Sequence, residues 1–334
     1  MTQPGGWDIL PRVAAARQNL PLPSMMYIAY ALVVILIVGA WFVYYRTTRE
    51  PFFVTGLRSI DIFAPIRFGT DVVILGQPRT GMWVLTWELT YRLLRHPRFP
   101  TQVAVFIDES RNDTLSLLDE MKEALPDFGN VHVVTAVTPE ELQRYCKSDS
   151  SRSMAIALSD NEQFVHLFRE AVRATRDGNP AFRELTSLTT TLLPLRTGFD
   201  TVMVLAPFLA GEGIYPAIDV DKSATLAMES SGVSHRRRQL ASSARSTISE
   251  AIALLNPGAL GDADSPFNTD PARRVPAQLI RYMSQPMFVA EKFTGKRGEF
   301  IPLAETTTAF DLILRGKVEH VAPQRFMYVN SLPS

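Results

Sequence analysis

Short apolar, β-rich runs alternate with helical patterns along the middle of this chain, and that alternation limits the folds open to it. Val72–Leu75 (VVIL), Val103–Ile107 (VAVFI), Val131–Val134 (VHVV), Met154–Leu158 (MAIAL) and Thr201–Leu205 (TVMVL) read as strands. Helical patterns lie between them over 82–95, 113–124, 138–146 and 161–175. Strands joined through helices are expected to lie parallel, in one sheet with helices on both faces. After residue 235 strand signals stop, and the spacing predicts helices over 236–255, 276–291 and 304–315. The expected fold class is therefore α/β, followed by a helical domain over 236–334.

One further feature precedes this body. Met25–Tyr45 (MMYIAYALVVILIVGAWFVYY) has 21 residues and no charge, and about 20 apolar residues span a bilayer core as a helix. Tyr27 and Tyr30 at one end and Trp41, Tyr44 and Tyr45 at the other suit the two membrane–water interfaces. Trp-Phe-Val-Tyr-Tyr-Arg offers no small-residue cleavage site, which separates this run from a signal peptide. Residues 1–24, with Pro4, Gly5, Gly6, Pro21 and Pro23, read as a flexible tail. Arg46, Arg49 and Arg58 after the span outweigh Arg12 and Arg17 before it. That balance places the C-terminal part on the cytoplasmic side of an inner or energy-transducing membrane.

Composition removes several classes. Lys plus Arg and Asp plus Glu are 34 each, so no global charge argues for nucleic acid. A single cysteine, Cys146, leaves no internal disulfide. The five histidines are scattered and no CxxC or HExxH spacing occurs, so no metal site is expected.

The C-terminal third carries a family pattern. Ser284-Gln285-Pro286, Val289-Ala290-Glu291, Phe293-Thr294-Gly295, Pro302-Leu303, Glu305-Thr306 and Phe310 recur at the spacing found at the end of the beta subunit of rotary, F-type ATP synthases. Gly213–Asp219 (GIYPAID) and Thr55–Pro65 (TGLRSIDIFAP) match two further segments of it. The chain thus resembles that family over 51–330, most strongly over 213–220 and 276–329. The resemblance implies a RecA-like domain over 51–235 and the family's C-terminal helical domain after it. The family's N-terminal β-barrel has no counterpart, and the tail and span stand in its place.

The resemblance also shows what is altered. A working phosphate loop reads GxxxxGK(S/T), its lysine facing the outer phosphates and its hydroxyl a magnesium. Here Gly76-Gln77-Pro78-Arg79-Thr80-Gly81-Met82-Trp83 keeps both glycines. Met82 replaces the lysine and Trp83 the hydroxyl. Each lost contact to a charged group is worth about 1.5–3 kcal/mol. Arg79 either reaches a phosphate instead or is solvated or salt-bridged. Glu109 falls where the family's water-orienting glutamate stands, or is a surface acid at a strand end. Asp160 falls at the magnesium-linked aspartate, or caps the helix that follows. Tyr215, Ala290 and Phe293 match positions that pack around the adenine, where Met287 replaces an aromatic, or they only fill core volume. The interface arginine after GIYPAID is absent from Asp221–Leu226. Gly261–Asp270 takes the place of the family's rotor-facing loop. His235–Arg238 is a basic run, either a solvated face or a contact for lipid headgroups or a partner.

The expectation is a non-catalytic, membrane-tethered beta-like protein, a structural, assembly or accessory subunit of a membrane complex such as the ATP synthase. No cofactor is expected beyond vestigial ATP or ADP binding at Gly76, Arg79, Gly81, Tyr215, Ala290 and Phe293. The alternative is a divergent subunit that binds or turns over ATP through Glu109 and Asp160.

Overall fold

The computed structural model describes residues 27, 30–36, 38, 39, 52–95, 102–108, 114–125, 128–134, 137–145, 153–230 and 232–333. Two compact units are distinguished, Met1–Glu50 and Pro51–Ser334. In the first, residues 27, 30–36, 38 and 39 are helical and exposed. Most of the span expected over 25–45 and all of the tail lie outside the described residues. Among the described residues no helix is long and apolar enough to cross a membrane.

The second unit is mixed α/β. Its sheet comprises β3 (Asp71–Leu75), β4 (Gln102–Ile107), β5 (Val131–Val134), β6 (Ser153–Leu158), β7 (Thr186–Thr191), β8 (Thr201–Val204) and β9 (Ala224–Thr225), in the order β5-β4-β6-β7-β3-β8-β9. Every neighbouring pair is parallel except β8–β9. β1 (Phe52–Phe53) and β2 (Ile66–Arg67) form a separate antiparallel pair. This mostly parallel sheet with flanking helices fits a RecA-like core.

Side chains along a strand alternate between faces, and here the two faces build two cores. Val72, Ile74, Val103, Val105, Ile156 and Leu158 pack with Leu85 and Leu89 of the helix Met82–Leu94 and with Met121 of the helix Thr114–Ala124. Ala104, Phe106, Ala155 and Ala157 pack with Leu142 of Pro139–Tyr145 and with Phe168 and Val172 of Glu162–Gly178. Strands buried on both sides read as continuous apolar runs, which makes β3, β4 and β6 visible in the sequence.

β7 was not expected, because Thr186–Thr191 (TSLTTT) carries only one apolar residue. All six positions are nevertheless buried, and neighbouring polar groups hold most of their hydroxyls. The Thr190 hydroxyl lies 2.8 Å from that of Thr86. The Ser187 hydroxyl donates to Asp71 Oδ1 at 2.6 Å, and that of Thr186 accepts from the Gly69 N–H at 3.0 Å. A buried hydroxyl is tolerated once it is hydrogen-bonded.

From His235 the chain is helical, with His235–Ile252, Arg274–Tyr282 and Leu303–Leu314 as its long elements. The helix expected over 276–291 stops at Tyr282. Past it, the Gln285 N–H donates to the Tyr215 carbonyl at 2.8 Å, and Pro286 has no N–H to continue a helix. A short helix, Glu291–Thr294, follows. The helical core takes in Ile62, Phe63, Leu209, Ile214 and Val220 from the α/β part, so the boundary expected at residue 235 lies inside one compact unit.

The segments that carry the family pattern meet in a buried polar lock. Asp61 is 2% exposed. Its Oδ1 accepts from the N–H and hydroxyl of Thr55, each at 2.9 Å, and its Oδ2 from the Gly56 N–H at 2.8 Å. The buried Arg58 guanidinium donates to the carbonyls of Tyr282, Ser284, Val329 and Asn330 and lies 4.1 Å from the Tyr282 ring centroid. The Gln285 amide donates to the carbonyls of Gly56 and Glu299 at 2.7 and 2.8 Å, and its oxygen accepts from the Arg58 N–H. Thr55–Asp61 and Ser284–Gln285 therefore join distant parts of the chain.

Candidate functional site

β3 ends at Leu75 and the loop Gly76–Gly81 leads into the helix Met82–Leu94. In parallel α/β sheets ligands gather at the carboxyl ends of strands, and two cavities open there. Two residues of the loop need left-handed backbone, Arg79 with φ 68° and Gly81 with φ 80°. A side chain on Gly81 would also press on Tyr215, since its Cβ would lie 3.2 Å from the ring.

The interior of the loop is filled by its own side chains. The Thr80 hydroxyl, from a residue 1% exposed, donates to the Gln77 carbonyl at 2.7 Å. A Cβ on Gly76 would stand 2.7 Å from that hydroxyl oxygen and 3.3 Å from the sulfur of Met82. Met82 is 4% exposed and belongs to the main core. Where a lysine would extend toward phosphate, a thioether is packed inward.

The first cavity, about 430 Å³, is lined by Arg79, Gly81, Tyr215, Ala290 and Phe293 among others. The structure thus brings together five of the six residues expected to form a nucleotide pocket; Gly76 is not in its lining. Met287 lines the same space. Phe293 does not fill core volume, because it is 85% exposed. The second cavity, about 380 Å³, is bounded by Gln77, Trp83, Glu120 and Leu192 and shares Arg79 and Gly81 with the first. Half-buried Trp83 forms a wall there and packs on the main core.

Asp160 lines neither cavity. It accepts from the Leu192 N–H at 2.6 Å and the Thr191 hydroxyl at 3.3 Å, fixing the exit of β7. The cap of the next helix is Asn161, whose side chain accepts from the N–H groups of Gln163 and Phe164. The capping role expected for Asp160 falls to its neighbour, because Asp160 is drawn toward the adjacent strand. Glu109 lies outside the described residues. The basic run at 235–238 is partly structural: Arg237 donates to the Asp61 carbonyl, Arg238 donates to the Met228 carbonyl, and Arg236 lies 3.6 Å from Asp311.

Among the cavity residues that were not anticipated are Gln285, Lys296 and Tyr328. The Tyr328 hydroxyl donates to the Gly213 carbonyl. Burial, with Tyr215 beside it, pushes its phenol up to about 12, so it stays a neutral donor. Lys296 sits in the turn after Glu291–Thr294, its ammonium 4.3 Å from the Tyr328 ring centroid.

That turn is held from two sides. The Gly298 N–H donates to Glu291 Oε1 at 2.7 Å, and the buried Arg92 donates to the Glu299 carbonyl at 2.9 Å. A Cβ on Gly298 would lie 2.5 Å from the Phe288 nitrogen and 2.6 Å from its Cα, which are backbone atoms and yield little. Gly298→Ala is expected to cost about 1–3 kcal/mol, as overpacking does. A thermal midpoint equal to that of the parent chain would show that the turn relaxes freely.

Among the described residues no group of three or more His, Cys, Asp or Glu side chains is placed to hold a metal ion. Compared with models of known protein families, the chain matches none.

Proposed function

We propose that this chain is a non-catalytic, membrane-tethered relative of the ATP synthase beta subunit that serves as a structural, assembly or accessory subunit of a membrane complex. The observation that carries the non-catalytic reading is the closed phosphate-type loop. Met82 is buried against Gly76, and the Thr80 hydroxyl is spent on the Gln77 carbonyl. Neither side chain is available to a triphosphate or its magnesium, and the first cavity is lined by no carboxylate. Asp160 is engaged by the backbone of β7's exit. Tethering rests on the uncharged run over 25–45, which would hold the domain at an inner or energy-transducing membrane with its C-terminal part cytoplasmic. Confinement beside a partner raises the effective concentration of the two. A closed ring needs every interface to repeat, and the family's interface arginine has no counterpart in Asp221–Leu226. One or a few copies docked on a larger complex fit better than a homohexamer.

The test is purification of the full chain from membranes in mild detergent, followed by native mass measurement and an ATPase assay with magnesium. One or a few copies with bound partners, and no hydrolysis above background, are expected. A homohexamer, or a turnover that Glu109→Gln abolishes, would overturn the reading in favour of a divergent working ATPase.

A further inference from the structure

The cavity beside Gly81 has two cations and an apolar wall. Arg79 reaches its lining from the loop after β3, and Lys296 from the turn after Glu291–Thr294. Both residues are exposed, and among the described residues no carboxylate pairs with either. Tyr215, Met287, Ala290 and Phe293 share the lining with them. Phe293 is 85% exposed, so its ring is open to a ligand that enters the cavity it lines. The volume of about 430 Å³ lies within the range of small-molecule pockets. Rings in the wall favour a flat aromatic body. Two unpaired cations at the lining favour an anion on that body. With no carboxylate in the lining, the site supplies no anionic oxygen to a divalent cation carried in with a ligand.

From this arrangement we infer that the cavity binds a flat aromatic monoanion, a two- or three-ring body bearing one carboxylate or sulfonate. The ring packs against Tyr215 and Phe293, the anion is taken by Arg79 and Lys296, and no divalent cation takes part. The inference rests on the reading that the loop no longer serves a magnesium-bound triphosphate.

The experiment is a calorimetric titration of the full chain, in mild detergent with EDTA, using 2-naphthalenesulfonate as probe and the neutral 2-naphthalenesulfonamide as its comparison. Saturable one-to-one binding is expected, with the sulfonamide at least tenfold weaker. Arg79→Gly suits the left-handed backbone there, and Lys296→Gln alters an exposed side chain, so both variants keep the fold. Each is expected to weaken the sulfonate about tenfold, in line with one lost charged contact. Ala290→Trp is expected to abolish binding, and Lys292→Gln, whose ammonium pairs with Glu123, to leave it unchanged. Absence of saturable binding, indifference to both Arg79→Gly and Lys296→Gln, or a requirement for magnesium would each overturn the inference. A parallel titration with magnesium ATP separates the two levels. Turnover of ATP would remove the non-catalytic reading itself, whereas no turnover and no sulfonate binding would remove only this inference.

Discussion

Arg92→Met is expected to destabilise the fold by about 3–5 kcal/mol, the usual cost of leaving a buried charge without its partner. The partner is Glu88, one turn earlier on the same helix. Its Oε1 lies 2.6 Å from the Arg92 Nε, and the two side chains are 0% and 2% exposed. Glu88 also accepts from the Val289 N–H at 3.0 Å, and Arg92 donates to the carbonyls of Thr55 and Glu299. Its guanidinium stands 4.9 Å from the Phe288 ring centroid. Removing the arginine therefore strands a carboxylate and frees two carbonyls together. The double variant Glu88→Gln, Arg92→Met should recover part of the loss, because the uncompensated charge is gone. Denaturant midpoints of the parent, Arg92→Met, Glu88→Gln and the double variant check this, provided the slopes agree. A loss under about 1 kcal/mol for Arg92→Met would mean that the pair behaves like one at the surface.

A second large effect is expected from pH. Burial pushes the Asp61 carboxyl up to about 6, against the three hydrogen bonds it accepts and the nearby Arg237. The folded-state value lies above the ordinary one, so the folded chain holds the extra proton. The contribution of this carboxyl is complete below about pH 4 and is lost as pH rises through 6. A shift from 3.8 to about 6 corresponds to about 3 kcal/mol. In Asp61→Asn the position no longer titrates. The difference in unfolding free energy between parent and variant should move by about that amount between pH 4 and 7, in favour of asparagine at the upper end. A constant offset is expected as well, since an amide nitrogen facing the Gly56 N–H cannot accept its hydrogen bond. A difference that stays flat across this range would show that the three donors hold the carboxylate ionised throughout.

The strands at 72–75, 103–107 and 154–158 were legible because strands covered on both sides must be apolar, and hydropathy is what a sequence displays most directly. The edge strand at 131–134, half-exposed at His132 and Val133, was legible from its β-branched residues. β7 was not, because its burial is compensated by partners elsewhere in the chain, such as Thr86 and Asp71, which no local pattern reveals. The break at Tyr282 likewise depends on the carbonyl of Tyr215, far away in sequence. Gly81, Tyr215, Ala290 and Phe293 were reached through the resemblance alone; no periodicity marks them. Lys296 and Tyr328 were missed because they stand in irregular segments, where position is set by the lock beneath them. Asp160 reads from the sequence as a magnesium-linked aspartate or as the cap of the following helix. The cap is Asn161, and Asp160 instead accepts from the Leu192 N–H and the Thr191 hydroxyl, partners 32 and 31 residues away that no local pattern reveals.

The Arg58 guanidinium grips carbonyls 271 and 272 residues further along the chain. Contacts of such separation form late, since a long loop must close before they are gained. During synthesis the strands β3 to β8 emerge and can pair while Arg58 still waits for Val329 and Asn330. Until those arrive, a buried guanidinium site stands open and the cavity side chain Tyr328 is missing. Completion of the pocket and completion of the fold are therefore one event, which waits until Val329 and Asn330 have left the ribosome, and a chain cut short of them would hold a sheet already assembled but not yet locked.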